Sequence, residues 1–82
     1  MWYVYLLLCE DGSFYTGVSN NLEKRFEEHR LGRGAKYTRS HKPVKLVHQE
    51  QFSTHSEALK REIKIKSWSR SKKIKILGLM ED

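Results

Sequence analysis

Trp2-Tyr3-Val4-Tyr5-Leu6-Leu7-Leu8-Cys9, then Glu10-Asp11-Gly12-Ser13, then Phe14-Tyr15-Thr16-Gly17-Val18: this stretch decides the fold. Aromatic and branched side chains fill the first run, which predicts a strand. The run does not alternate cleanly between apolar and polar, so both of its faces are expected to be covered. Asp11-Gly12 supplies turn chemistry, and Phe14 to Val18 can return antiparallel to the first strand. A hairpin of this kind sets the Tyr3-Val4-Tyr5 and Tyr15-Thr16-Gly17 segments side by side.

Asn20 is the expected cap of the next element, with Glu23 three residues on completing a capping box. A helix from Asn21 to about Arg30 would turn Leu22, Phe26 and Leu31 toward the core. Arg25 and His29 share another face through their i,i+4 spacing, directed at the same end of the sheet. Gly32 and Gly34 read as termination followed by a mobile link. The basic, polar stretch from Arg33 to Lys42 reads as a loop or irregular segment before Pro43.

Val44 to Phe52 reads as a third strand, although Val47 breaks a strict two-residue alternation. Thr54 and Glu57 repeat the capping pattern and open a helix through about Lys66, with Ala58, Leu59, Ile63 and Ile65 toward the core. Ser67-Trp68-Ser69 interrupts it. Ser69 can cap a last short helix carrying Ile74 and Leu77, and Trp68 can close the core. No long linker or internal repeat divides the chain. The expectation is one α/β domain over residues 1–82, a small three-stranded antiparallel sheet flanked by helices, with residues 69–82 a short helical extension and tail.

At 82 residues the chain is near the lower range for a single core. Its one cysteine, Cys9, cannot form an internal disulfide, and its place at the end of an apolar strand favours a buried small hydrophobe over a reactive thiol. A reducing, cytoplasmic setting follows most simply. Trp2 to Cys9 is too short to cross a bilayer and no basic segment precedes it, so neither a membrane helix nor a signal peptide is expected.

The formal charge of +6 is unevenly placed: residues 1–18 contain Glu10 and Asp11 but no Lys or Arg. All 16 basic residues follow. Residues 60–75 alone carry Lys60, Arg61, Lys64, Lys66, Arg70, Lys72, Lys73 and Lys75 against Glu62. Such a run positions phosphates without reading bases, or simply solvates a helix. The Arg33–Lys42 segment strengthens the binding reading, with Arg33, Lys36 and Arg39 as phosphate contacts and Tyr37 able to stack on an exposed base. Lys60, Lys64, Arg70, Lys72 and Lys73 complete the candidate nucleic-acid surface.

Other chemistries find little support. His41, His48 and His55 are dispersed, and with Cys9 they make no zinc motif. A Walker loop and a dinucleotide-binding glycine fingerprint are both missing, so no organic cofactor is expected.

The ordered combination of Tyr3-Val4-Tyr5, Tyr15-Thr16-Gly17, Asn21-Leu22-Glu23-Lys24-Arg25 and His29 resembles the GIY-YIG nuclease superfamily, in particular its short bacterial members. The resemblance continues through Gly34 to Arg39, Pro43 and Ser56-Glu57-Ala58-Leu59 to Glu62. It implies a DNA-cleaving site on the sheet surface, with Tyr15 as general base, Arg25 binding phosphate and Glu62 holding a divalent cation. Tyr5 and His29 would be auxiliary, positioning water or phosphate. Tyr3 replaces the usual Gly of the first signature, and Val18 stands where some members place a catalytic Lys.

The chemistry has its own logic. Attack of water on a phosphodiester needs a proton removed while a cation and a guanidinium meet the growing oxygen charge. Arg25 offers a fixed fork of donors, and Glu62 a hard oxygen suited to Mg2+ or Mn2+. One carboxylate cannot fill an octahedral shell, so water and substrate phosphate would supply the rest.

Without the resemblance, Tyr3, Tyr5 and Tyr15 read first as packing residues, Arg25 as a solvating charge and Glu62 as a partner of Arg61 or Lys66. Two functions follow. One is a metal-dependent DNA endonuclease or structure-selective phosphodiester hydrolase serving repair or recombination, associated with a bacterial nucleoid. The other is a catalytically weak or inactive nucleic-acid-binding module. DNA is favoured over RNA by the resemblance, and monomer and weak homodimer stay open.

Overall fold

β1 (Trp2–Cys9) is the middle strand of a three-stranded sheet in the order β2-β1-β3, antiparallel to both β2 (Phe14–Ser19) and β3 (Pro43–Phe52). The computed structural model describes residues 1–79. The unbroken apolar run of β1 follows from this central place. Val4, Leu6 and Leu7 are wholly buried and Tyr5 is 2% exposed, so both faces of the strand are covered. Four helices do the covering: α1 (Leu22–Arg30), α2 (Lys36–Ser40), α3 (His55–Lys66) and α4 (Arg70–Leu77).

The hairpin forms as the turn residues dictate. Asp11 Oδ1 accepts from the Ser13 amide at 3.0 Å and from its hydroxyl at 2.6 Å, an Asx turn that reverses the chain. Arg70 Nε, at the start of α4, donates to the Gly12 carbonyl at 2.7 Å and ties the helix to the turn. Cys9 is buried, as its place in the strand suggested.

On one face of the sheet Val4 and Leu6 meet Ala58 and Ile65 of α3 and Leu79, with Val18, Trp68 and Ile74 packed around them. Ser69 caps α4 by accepting from the Lys72 amide, and Thr54 caps α3: its Oγ1 accepts from the Glu57 amide at 3.2 Å and donates to the Glu57 carboxylate at 2.9 Å, so Glu57 meets the Thr54 side chain where the expected box has it meet the Thr54 amide. The irregular third strand is explained by a bulge. Leu6 is opposite His48 and Leu7 opposite Leu46, so Val47 is the extra residue and packs on the core while Val44 and Leu46 are exposed.

Several expectations need correction. The first cap is Asn21, not Asn20: the Ser19 hydroxyl accepts from the Asn21 amide and donates to its carbonyl, holding Asn21 extended, and Asn21 Oδ1 accepts from the Lys24 amide. Leu31 ends α1 and is 52% exposed. In α3 the buried positions are Ala58 and Ile65, seven apart, whereas Leu59 and Ile63 lie on an exposed face. The Arg33–Lys42 segment is not irregular throughout, since α2 forms within it around buried Thr38. Residues 80–82, the end of the expected tail, lie outside the described residues.

Candidate active site

Tyr5 and Tyr15 project from neighbouring strands on the face opposite α3, and Gly17 makes room for both. A Cβ at Gly17 would lie 2.5 Å from the Tyr5 hydroxyl oxygen and 2.9 Å from Tyr15 Cε2, overlaps that would force both rings to shift. The glycine of the second signature is thus a steric requirement of the two tyrosines. Their ring centroids are 6.2 Å apart, and His29 of α1 stands 5.9 Å from Tyr5 and 4.9 Å from Tyr15. Gly34 has the same role toward His29: a Cβ there would overlap Nδ1 and the ring carbons beside it. Its expected role as a mobile link gives way to close packing.

His29 is fully buried and lies in a chain of short hydrogen bonds. Nε2 is 2.8 Å from the Tyr5 hydroxyl and Nδ1 is 2.6 Å from Thr38 Oγ1, which lies 3.0 Å from the Ala35 carbonyl. The carbonyl can only accept, so it takes the Thr38 proton. Thr38 then accepts from Nδ1–H, and Nε2 is left to accept from the Tyr5 O–H. The Ala35 amide approaches Nδ1 at 3.4 Å, a longer and weaker claim on the same nitrogen. Every proton in the chain is therefore directed inward, ending on backbone.

The electrostatics agree with that direction. Burial, with Arg25 nearby, pushes the His29 pKa down to about 4, so its ring is neutral at pH 7. Burial and the neighbouring Tyr15 raise the Tyr5 pKa well above the ordinary phenol value, against the lowering effect of Arg25. Tyr5 is a held donor rather than a base. Burial opposes the charge of Arg25, but its hydrogen bond and attraction to Tyr5, its attraction to Tyr15 and its hydrogen bond to Glu28 leave the guanidinium still more firmly protonated. Arg25 also pairs with Glu28 at 3.5 Å, and its side chain is one-third exposed.

Glu62 comes from the other side of the sheet. It shares the inward face of α3 with Ala58 and Ile65, four residues after one and three before the other. Its side chain is 16% exposed, it meets Lys66 at 3.5 Å, and its charge is felt by Tyr5. The structure thus gathers Tyr5, Tyr15, Arg25 and His29 at one end of the sheet from three elements, while Glu62 reaches this group only through its charge on Tyr5. Val18 lies opposite Val4 in the hairpin and packs on the apolar core, so no cation projects from that position.

The candidate phosphate contacts are more scattered. Arg33, Lys36, Arg39, Lys60 and Lys64 are exposed on the α1–α2 connection, α2 and α3. Lys72 lies 5.4 Å over the Trp68 ring and Arg70 5.4 Å over Phe14, both cation–π contacts that fix α4 to the body. Tyr37 stacks on His41 at 4.0 Å and faces Tyr15 at 6.0 Å. Lys73 is half-buried beside Lys66, and burial together with that like charge lowers its pKa. Sequence reasoning missed Thr38, whose only signal was a hydroxyl inside a segment without periodicity. It also passed over Lys66 as a member of the site.

Comparisons with known proteins match nearly the whole chain. The GIY-YIG catalytic domain model matches residues 1–75. A UPF0213 protein of Staphylococcus saprophyticus is 55% identical over 76 residues, covering 93% of both chains, and one of Staphylococcus haemolyticus is 51% identical over 75 residues, covering 92% of both. Among solved structures, the solution structure of a UPF0213 protein from Bacillus halodurans is similar with a TM-score of 0.60 at 42% identity, covering 95% of this chain and 84% of that one. A protein from E. faecalis gives a TM-score of 0.64 at 44% identity, covering 93% of this chain and 81% of that one.

Proposed function

The chain belongs to the GIY-YIG family, and from that premise we propose that it is a nucleic-acid-binding domain that seats a DNA phosphodiester at the Tyr5–Tyr15–Arg25 surface and hydrolyses it slowly when a divalent cation is bound. The observation that supports this most is the convergence of Arg25, both tyrosines and His29 at one end of the sheet, with the Glu62 charge felt by Tyr5. Arg25 meets a phosphate with its free donors and stays charged throughout. Tyr5, its proton committed to His29, hydrogen-bonds Arg25 through its oxygen and so holds the guanidinium in position for the phosphate. Tyr15, its ring 4.9 Å from His29 and 6.2 Å from Tyr5, accepts the proton of the attacking water.

The donor set fits a hard cation. Lys66 stands from Glu62 at more than hydrogen-bond length, which leaves carboxylate oxygen available for Mg2+ or Mn2+. Such a cation would stabilise charge on the non-bridging phosphate oxygens. Among the described residues no group of three or more His, Cys, Asp or Glu side chains is assembled, so water and substrate phosphate would complete the shell.

That same observation, with Val18 in the core, favours a second reading in which the domain binds DNA without cleaving it. A panel of single-stranded, duplex, flapped and nicked DNA with Mg2+ or Mn2+ separates the two. Arg25→Ala and Glu62→Ala, checked for folding, are expected to lower cleavage at least about 100-fold, the scale of losing one transition-state charge contact. Tight binding by wild type with no cut product on any substrate would establish the binding module. Cleavage that survives both substitutions would remove the assigned site.

A further inference from the structure

β2 is an edge strand, and its open side borders a cavity of about 260 Å³ lined by Phe14, Tyr15, Thr16, Tyr37, Lys66 and Lys73. The size is below the range of sites for drug-sized ligands and suits one ring system with its substituents. Its walls divide by chemistry. Tyr37 offers an aromatic face: His41 covers one side of the ring, and the other looks toward Tyr15 across 6.0 Å at a tilt of 29°, an open wedge rather than a closed stack. Lys66 and Lys73 supply two positive charges on the opposite wall.

Thr16 provides an independent sign of a ligand. It is 3% exposed, and its Oγ1 is the buried side-chain oxygen without a hydrogen-bond partner among the described residues. A buried hydroxyl without a partner costs stability unless something reaches it. Thr16 adjoins both Tyr15 and the cavity, so a polar group placed there would be its partner.

We propose that this cavity is a nucleotide subsite: one nucleobase, out of its duplex stack, lies against Tyr37 and hydrogen-bonds Thr16, while an adjoining phosphate sits between Lys66 and Lys73. Aromatic stacking tolerates any base, so the subsite selects for an unpaired nucleotide more than for its identity. Lys66 joins this subsite to the phosphodiester site, since it also faces Glu62 at 3.5 Å. The inference rests on the proposed DNA-binding function and extends it to the nucleotide beside the bond held at Tyr15.

Titration of the metal-free protein with a deoxynucleoside 5′-monophosphate, followed by amide NMR, tests it without cleavage. Saturable shifts are expected at Phe14–Thr16, Tyr37, Lys66 and Lys73, with inorganic phosphate binding at least about five-fold more weakly because it forgoes the stack. Tyr37→Ala is expected to weaken mononucleotide binding about 5- to 100-fold by the same loss. Thr16→Val should weaken it several-fold while leaving unfolding temperature unchanged or raised, a split that a purely structural threonine would not give.

Glu62→Ala, which releases Lys66 from its 3.5 Å ion pair, should bind mononucleotide more tightly than wild type in the absence of metal, and this separates the subsite from the cation site; weaker binding would count against it. Equal binding of phosphate and nucleotide, or wild-type affinity in both Tyr37→Ala and Thr16→Val, would overturn the subsite even if wild type cleaves DNA. Saturable nucleotide binding at these residues in a protein that cleaves nothing would sustain the subsite and leave only the hydrolytic reading to fall.

Discussion

The two faces of β1 are buried to the same degree and closed by opposite chemistry. Toward α3, Val4 and Leu6 meet Ala58 and Ile65, a contact made wholly of carbon. Toward α1 and α2, Tyr5 and His29 are as thoroughly buried, but they are joined through Thr38 to the Ala35 carbonyl by hydrogen bonds of 2.6 to 3.0 Å. The first face needs volume; the second needs direction, because each donor must find its one acceptor. The proposed phosphodiester site lies above the directed face, where the Tyr5 proton is committed to His29.

The largest effect should come from the carbon face. Leu6→Ala removes a fully buried side chain and should cost about 2–5 kcal/mol in urea unfolding, cavity included. The NMR signals of the Tyr5–His29 chain should persist in whatever fraction stays folded. A loss below 1 kcal/mol would mean that the helices do not rest on this face.

Between neutral pH and about pH 5, acid should act first on the other face. His29 titrates at about 4 in the fold, against about 6.5 in an unfolded chain. Between those values the unfolded state binds the extra proton, so stability is complete above pH 6.5 and falls as the pH drops toward 4. The full shift corresponds to about 3 kcal/mol. Glu50, whose partly buried carboxylate is held down by Arg61 and His48, gives up its contribution only as pH falls below the ordinary carboxylate range, so the two windows are separable. His29→Gln should flatten the upper window, and an unchanged slope in that variant would assign it to another group.

How far the sequence could be read follows the same division. The hairpin and the caps at Thr54 and Ser69 were legible because each depends on neighbours in the chain. Arg25 and His29 were legible as one helical face, and the match of motif order pointed to Glu62. Asn20 and Asn21 are equally competent caps by type, and only the Ser19 hydroxyl decides between them. Leu59 and Ile63 have helical spacing without burial, since periodicity shows that a face exists and not what covers it. Thr38 and Thr16 were invisible for a plainer reason: a hydroxyl announces neither its partner nor the lack of one until distant strands and helices are assembled.

Thr38 offers the finest test of the directed face. Valine matches its shape, so Thr38→Val keeps the volume and removes the acceptor of the His29 Nδ1 proton. That proton would then be buried without a partner, at a cost of about 1–3 kcal/mol. The ring has an escape: moving the proton to Nε2 lets Nδ1 accept from the Ala35 amide, now 3.4 Å away, while Nε2–H donates to Tyr5. The Tyr5 proton would then be released outward, and the group facing the phosphate would become a donor. Nitrogen NMR of the imidazole should therefore show Nδ1–H in wild type and in Thr38→Ser, and Nε2–H in Thr38→Val. The valine variant should have altered phosphate affinity and near-native secondary structure. If valine leaves the tautomer and the stability as they were, packing alone closes this face, and the contrast between its two sides reduces to composition.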